Sequence, residues 1–297
     1  MPRIALIGAP TDVHSSFLRG PAGAPPVIRA ALASDHANSF AEDGTEIGID
    51  ILVDDLGDLP LTESAGDDAL IDATVSSAVR SGAMPLVLGG DHAISLPVVA
   101  ALAALHGPLD ILHFDAHPDI YDDFEGDPRS HASPFARIME RGLAKRLVQV
   151  GIRTMNRHCR EQVARFGVEV IEMRHFSAEA VPLLDGPLYI SIDMDGFDPA
   201  VAPGVSHIEP GGLGTRDVLN VLNRQTAPLA GADIVELNPL RDVNSMTAIL
   251  AAKLIRELAA LRLRNGRPKP SSTDVCFSQE WERRRCFRAL LLPPHPT

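Results

Sequence analysis

The chain has 297 residues, 45% of them hydrophobic and 22% charged, which is enough for one large α/β domain or two small ones. Its formal net charge of −12 argues against general nucleic-acid binding, because contacts with phosphate groups need a basic surface. The same charge suits a small cationic ligand, which an acidic cleft would attract.

The sequence also lacks the patterns of secreted, membrane and disulfide-rich proteins. No apolar run approaches the roughly 20 residues that span a bilayer, and the first residues do not form a signal peptide. The three cysteines, Cys159, Cys276 and Cys286, show no CxxC spacing, which argues against a zinc ribbon or a disulfide framework. We therefore expect a cytoplasmic protein that does not act at a membrane.

Short apolar runs alternate with helix-like stretches along most of the chain. In chain order the runs predict buried strands at 4–8, 84–90, 109–115, 147–152, 168–173, 188–195 and 231–238. The helix-like stretches are 69–81, 96–105, 134–141, 157–166, 215–223 and 245–263. This alternation predicts an α/β fold with a parallel sheet covered by helices on both faces.

No linker or internal repeat divides residues 1–264, so we expect a single α/β domain there. Residues 265–297 differ in composition, because they open with Gly, Pro and Ser and end rich in Pro. We expect this C-terminal tail to be partly disordered.

Four of the predicted strands end in polar clusters, and ligands of open α/β sheets bind outside the carboxyl ends of strands. Singly, each cluster has an ordinary explanation, such as a solvated strand end or a capping side chain, and we expect Asp91 to cap a helix. Alternate residues of an extended segment share a face, so Asp115, His117 and Asp119 can point into one cavity, and Asp193 and Asp195 have the same spacing. The polar residues of the four clusters are, in chain order, Asp91, His92, Asp115, His117, Asp119, Asp193, Asp195 and Glu236.

Together, so many carboxylates at one edge of a sheet would repel one another unless cations lay among them. Carboxylates with a few imidazoles and no thiolate favour Mn²⁺ over Zn²⁺. The carboxylates outnumber the needs of one ion, which suggests two ions that share bridging aspartates. Two such ions lower the pKa of a shared water, and the sequence therefore predicts metal-assisted hydrolysis.

The motifs "GGDHAIS", "DAHPD", "SHASPF", "SIDMDGFDP" and "VELNP" resemble those of the ureohydrolase family, the arginases, agmatinases and related guanidino-group hydrolases. The longer stretches "HPDIYDDFEGDPRSHASPFARIME" and "GVSHIEPGGL" look most like plant-type arginases and their bacterial relatives. The likeness covers about residues 3–264. It implies a three-layer α/β/α fold, two Mn²⁺ ions, a small cationic guanidino substrate and a homo-oligomer, either a trimer or a hexamer.

The resemblance also implies a role for each matching residue. One ion would be held by His92, Asp115, Asp119 and Asp193, and the other by His117, Asp115, Asp193 and Asp195. His131 matches the catalytic histidine, and Glu236 matches the glutamate that pairs with the guanidinium group. Asp195 is also expected to accept a proton from the attacking hydroxide.

The substrate depends on the loop after the DAHPD motif. Animal-type arginases bind the α-carboxylate there with Asn, Ser and Thr, whereas residues 120–129 are acidic here, which suits agmatine. Plant-type arginases share this loop style, and Arg153 or Arg129 could meet a carboxylate. Where the family has aspartates that face the α-amino group, this chain offers Thr154 and Asn156. We expect Arg153 and Asn156 to bind substrate.

We therefore predict an arginase, which converts L-arginine to ornithine and urea. An agmatinase, which converts agmatine to putrescine and urea, or another guanidino-acid hydrolase is the alternative. An inactive metal-binding homologue and a one-zinc deacetylase-type hydrolase are further alternatives. The complete ligand set argues against the first of these, and the second aspartate pair together with "VELNP" argues against the other.

Overall fold

The computed structural model describes residues 1–266, so the predicted tail lies outside the described residues except at its first two positions. The strands are β1 (Arg3–Ala9), β2 (Leu52–Asp58), β3 (Met84–Gly89), β4 (Leu109–Phe114), β5 (Ala144–Ile152), β6 (Glu169–Glu172), β7 (Leu188–Asp193) and β8 (Leu229–Val235). The helices are α1 (Ala24–Leu32), α2 (Asp67–Arg80), α3 (Ser95–His106), α4 (Pro134–Glu140), α5 (Arg157–Phe166), α6 (Thr215–Arg224) and α7 (Met246–Asn265).

All eight strands form one parallel sheet in the order β2-β1-β3-β8-β7-β4-β5-β6. The first three strands form one side of the sheet and the next three form the other side. The last two in sequence, β7 and β8, lie between β3 and β4. The four central strands are therefore those that carry the polar clusters at their carboxyl ends.

Helices cover both faces of the sheet. On one face, α1, α6 and α7 bury residues such as Ile28, Leu219 and Ile255 against the strands. On the other face, α2, α3, α4 and α5 do the same with residues such as Val75 and Val99. Strands covered on both sides need apolar residues at consecutive positions, which is why they read as unbroken hydrophobic runs. The predicted three-layer α/β/α fold is confirmed.

The predictions from sequence missed two elements. Strand β2 has the sequence LVDDLGD and is only half buried, because it lies at the edge of the sheet and pairs on one side alone. Its aspartates are exposed enough to pair with arginines, as in the 2.7 Å contact between Arg3 Nη2 and Asp54 Oδ2. Helix α1 contains Pro25 and Pro26, which are tolerated because they lie in its first turn, where backbone N–H groups have no partner within the helix.

Within the described residues, no helix combines the length and the apolar character needed to cross a membrane.

The central strands should dominate the stability of the sheet. Ile190 in β7 is fully buried, so Ile190→Ala should cost about 2–5 kcal/mol of unfolding free energy by leaving a cavity. Ile49→Ala is the matched control, because Ile49 is 62% exposed and its truncation should stay within about 0.5 kcal/mol. Urea denaturation followed by circular dichroism measures both, and equal costs would contradict the assigned core.

Candidate active site

The candidate site lies where the carboxyl ends of the four central strands meet. His92 follows β3, Asp115 follows β4, Asp193 ends β7 and Glu236 follows β8. A parallel sheet places these ends at one edge, so residues distant in sequence become neighbours. His131 comes from the long loop between β4 and α4 and completes the site.

One group of side chains is centred on His92. Its Nδ1 atom lies 3.0 Å from Asp119 Oδ2, 3.1 Å from Asp193 Oδ2 and 3.3 Å from Asp115 Oδ2. All four residues are buried, and their candidate ligand atoms lie within 4.8 Å of one another. This is the set that the sequence resemblance assigns to one ion.

A second group adjoins the first and contains Asp115, His117 and Asp195. His117 Nδ1 lies 3.2 Å from Asp195 Oδ2 and 3.4 Å from Asp115 Oδ1. Asp193, the fourth expected ligand, is not part of this group. Its Oδ1 atom instead accepts a hydrogen bond of 2.7 Å from the backbone N–H of Asp195. The structure thus brings together three of the four residues expected at the second ion.

These residues fit divalent cations. His92 Nδ1 is fully buried and has no hydrogen bond, although three carboxylate oxygens face it, and such an orphaned atom is costly without a ligand. Burial and the nearby Asp195 and Asp115 raise the pKa of Asp193 well above its usual value, and burial raises that of Asp195 to about 6. A cation would offset both effects. The donors are carboxylates and imidazoles, a set that suits hard or borderline ions such as Mn²⁺.

The backbone after β4 is not the extended segment that the sequence suggested. The strand ends at Phe114, and the following residues form a turn in which Asp119 has φ of 42°. His117 and Asp119 therefore reach different groups, His117 towards Asp195 and Asp119 towards His92. Glu236 also has positive φ, at 63°, and such strained backbone is concentrated at functional sites.

Asp91 caps the short helical turn after β3, as expected. Its Oδ1 atom accepts a hydrogen bond from the backbone N–H of Ala93 at 3.1 Å, and Oδ2 accepts one from His14 at 2.9 Å. Both carboxylate oxygens thus accept hydrogen bonds from backbone N–H groups. Asp91 belongs to neither of the two groups of candidate metal ligands described above, the one around His92 and the one around His117 (the metal groups).

His131 and Glu236 form a buried pair beside the metal groups. His131 Nδ1 lies 2.8 Å from Glu236 Oε1, and the same oxygen accepts a hydrogen bond from the backbone N–H of His92 at 2.9 Å. The other ring nitrogen of His131, Nε2, lies 2.8 Å from Ser16 Oγ. Burial opposes protonation of His131, but the Glu236 carboxylate outweighs it and raises the pKa of the imidazole to about 9.

A cavity of about 280 Å³ opens onto both metal groups and onto the His131–Glu236 pair. Its other walls come from Ser16, Tyr121, Phe124, Thr154 and His207. Tyr121 and Phe124 belong to the acidic loop, whose carboxylates Asp122, Asp123 and Glu125 are exposed. Among the described residues that line this cavity, none is a lysine or an arginine.

The structure does not bring Arg153 or Asn156 into the lining, which differs from the sequence prediction. The guanidinium of Arg153 donates to backbone carbonyls, including those of Asp195 at 2.7 Å and Glu209 at 2.6 Å. Arg153 thus supports the loop that carries Asp195. Asn156 is exposed at the start of α5, where its Oδ1 atom accepts from the Cys159 N–H and its amide donates to the Tyr121 hydroxyl.

Three residues near the site were not assigned roles from the sequence. Ser16 approaches His131 from the loop after β1, and the ring of His207 lies 5.4 Å from that of His131 between centroids. His113 in β4 points Nε2 at Asp115 Oδ2 at 2.8 Å, while Gln149 donates to its Nδ1. The alternation "HFDAH" places His113 and Asp115 on one side of the chain, a signal that could have identified His113. His207 lies in "GVSHIEPGGL", whose likeness to plant-type arginases could have identified it, whereas none of the quoted motifs contains Ser16.

Comparison with known proteins places the chain in a family. The profile of the arginase family matches residues 2–260. Arginase 1, mitochondrial, from Arabidopsis thaliana is 54% identical over 275 residues, covering 86% of this chain and 80% of the relative. The solved arginase from Medicago truncatula has a TM-score of 0.84 and 47% identity, covering 88% of this chain and 87% of that one. More distantly, the mitochondrial agmatinase of Gallus gallus is 34% identical, covering 86% of this chain and 79% of the relative.

The chain therefore belongs to the arginase family and is a ureohydrolase, an enzyme of arginase-type guanidino hydrolysis.

The cytoplasmic location expected from the sequence is wrong by the same comparisons. The Arabidopsis and rice relatives are named as mitochondrial arginases, and a second Arabidopsis relative as chloroplastic or mitochondrial. The expectation rested on the cysteine pattern and on the composition of the first residues, neither of which distinguishes the cytosol from these organelles.

Removing Asp195 should affect one metal group and spare the other. Asp195 contacts His117, whereas the group around His92 contains three other carboxylates. We expect Asp195→Ala to lower bound Mn²⁺ from two ions to one per chain, measured by elemental analysis after dialysis. Asp35→Ala, at an exposed position remote in sequence from the site, is the control. Two ions retained by Asp195→Ala would contradict the ligand assignment.

Proposed function

We propose that the protein hydrolyses L-arginine to ornithine and urea and uses two Mn²⁺ ions. The ligands would be His92, Asp115, His117, Asp119, Asp193 and Asp195, distributed as the family resemblance implies. The observation that carries this proposal is the buried His92 group next to a cavity that also holds Glu236 and His131. Identity of 54% to a plant arginase, against 34% to an agmatinase, supports arginine as the substrate.

Glu236 would bind the guanidinium group. Both of its described contacts, with His131 and with the backbone of His92, use Oε1, so Oε2 makes no hydrogen bond with the described residues. A planar guanidinium can donate to Oε2 in a charge-assisted hydrogen bond. The backbone N–H of His92 fixes the carboxylate, so the substrate carbon would be held at a set position above the metal groups.

The reaction requires an activated water and a proton for the departing amine. Divalent ions held by these ligands would supply an activated water near neutral pH. Asp195, at the edge of the cavity, accepts a proton from that water as it attacks the guanidinium carbon. The C–N bond to the amine then breaks, and His131 donates the proton that the amine needs, directly or through a water. The Glu236 carboxylate, which raises the pKa of His131, favours the protonated imidazole that this role requires.

Agmatine is the second candidate substrate, and one observation favours it. Arginine differs from agmatine by its α-carboxylate, and the described lining of the cavity contains no lysine or arginine to meet that group. An arginine carboxylate would have to bind neutral donors, such as the hydroxyls of Ser16 and Tyr121 or the ring of His207. The acidic loop beside the cavity would attract either cationic substrate.

The homo-oligomer, trimer or hexamer, stays a prediction from the resemblance.

Urea release separates the substrates. With Mn²⁺ present we expect the largest kcat/KM with arginine, a smaller value with agmatine and little urea from 4-guanidinobutyrate. A kcat/KM larger for agmatine than for arginine would reverse the substrate assignment. Absence of urea from all three compounds, with Mn²⁺ bound, would contradict guanidino hydrolysis by this site.

His131→Asn tests the proton donor. Loss of a general acid should lower kcat by about 10²–10⁴-fold while Mn²⁺ content stays unchanged. His175→Asn, at an exposed histidine outside the cavity lining, is the matched control and should retain wild-type kcat. A His131→Asn variant with wild-type kcat would remove His131 from the mechanism.

A further inference from the structure

A buried carboxylate that the proposed mechanism does not use lies beneath the metal groups. Asp233 in β8 is fully buried, and three hydroxyl groups donate hydrogen bonds to it. Ser95 Oγ donates to Oδ2 at 2.5 Å, Ser191 Oγ donates to Oδ1 at 2.7 Å, and the Tyr189 hydroxyl also donates to Oδ2. Asp233 does not line the cavity, so it does not contact the substrate.

Ser191 connects this carboxylate to His92. Ser191 and Asp233 are register partners on the neighbouring strands β7 and β8. Ser191 Oγ lies 2.9 Å from His92 Nε2 and is also fully buried. The three residues form a continuous chain of hydrogen bonds that ends at the imidazole facing the metal groups.

The direction of this chain follows from the number of hydrogens. A serine hydroxyl has one hydrogen, and Ser191 donates it to Asp233, so Ser191 can only accept from His92. His92 therefore carries a hydrogen on Nε2, and in the neutral imidazole, the form that binds a metal ion, the lone pair then lies on Nδ1. Nδ1 is the atom that Asp115, Asp119 and Asp193 surround and that lacks a hydrogen bond.

Asp233 is needed because the hydroxyl alone does not choose a direction. An ionised carboxylate can only accept, whereas a serine facing a neutral group could rotate and donate to Nε2 instead. That rotation would move the imidazole hydrogen to Nδ1 and block the lone pair. Partners behind a metal-binding histidine commonly fix its tautomer and orientation in this way.

We propose that Asp233 is a positioning residue which, through Ser191, holds His92 in the tautomer that presents Nδ1 to a divalent cation. The inference rests on the proposed metal site and adds residues that do not touch the ion. It assigns a role to the Asp233 carboxylate, whose burial in the sheet would otherwise only be unfavourable.

Two variants test the relay by Mn²⁺ titration of the metal-free protein. Asp233→Asn is nearly isosteric, but its amide can donate to Ser191 and so reverse the chain of hydrogen bonds. Ser191→Ala removes the connection and leaves Asp233 in place. We expect each to weaken Mn²⁺ binding at one of two sites by about 10–100-fold, with the other site close to wild type.

Ser95→Ala is the matched control. It removes a buried hydroxyl that donates to the same carboxylate and makes no hydrogen bond with His92, so the Mn²⁺ affinity should stay within about threefold of wild type. A second readout uses arginine hydrolysis at rising Mn²⁺ concentration. Activity lost at low Mn²⁺ in Asp233→Asn and Ser191→Ala should return at high Mn²⁺, with KM for arginine unchanged. A purely structural loss would not recover in this way.

The outcomes separate this inference from the proposed function. A folded wild-type protein that binds no Mn²⁺ would overturn the metal site itself. Two wild-type sites together with unchanged affinity in Ser191→Ala would overturn the relay and leave the proposed function standing. If Asp233→Asn does not fold, the comparison of Ser191→Ala with Ser95→Ala still decides, and equal weakening in both would overturn the relay.

Discussion

Negative charge concentrated in a buried space is the constraint on which the rest of the site depends. Asp115, Asp119, Asp193 and Asp195 are all buried at one edge of the sheet, where water does not screen their repulsion. Backbone N–H groups offset part of it, as in the 2.6 Å hydrogen bond from His117 to Asp115 Oδ1. The remainder selects for cations, so the structure has to hold these groups rigidly until ions arrive. A sheet of eight parallel strands between two helical layers provides that rigidity.

Much of the fold could be predicted because burial on both faces leaves a direct record in the sequence. The central strands read as apolar runs that stop where carboxylates begin, as in LYISID of β7. The apolar pattern is weaker at the edge of the sheet, where β2 is half exposed and contains acidic residues. Helix α1 is also hard to predict, because its two prolines suggest a break unless they are known to lie in the first turn.

The candidate site divides along the same line. Residues directly after central strands were identifiable from sequence, since strand order alone brings them together. The contacts of Ser16 and His207 with His131 were not predicted, because they depend on how two loops fold over the sheet. Arg153 shows the opposite error. A positive charge near the site suggested a carboxylate partner, but the guanidinium donates to backbone carbonyls. Every residue has a backbone carbonyl, so the sequence does not indicate which ones Arg153 meets.

The strand order also has a consequence for how the molecule is made. A chain synthesised from its N-terminus completes β3 and β4 long before β7 and β8, which must later insert between them. Until then, β3 and β4 each have an unpaired edge, and His92 and Asp115 lack Asp193 as a neighbour. A nascent chain released before β8 therefore lacks Glu236 and the strand that joins β3, with His92, to β7. The site is complete only after the last stage of folding, and truncated chains should expose two unpaired β-edges to quality control and aggregation.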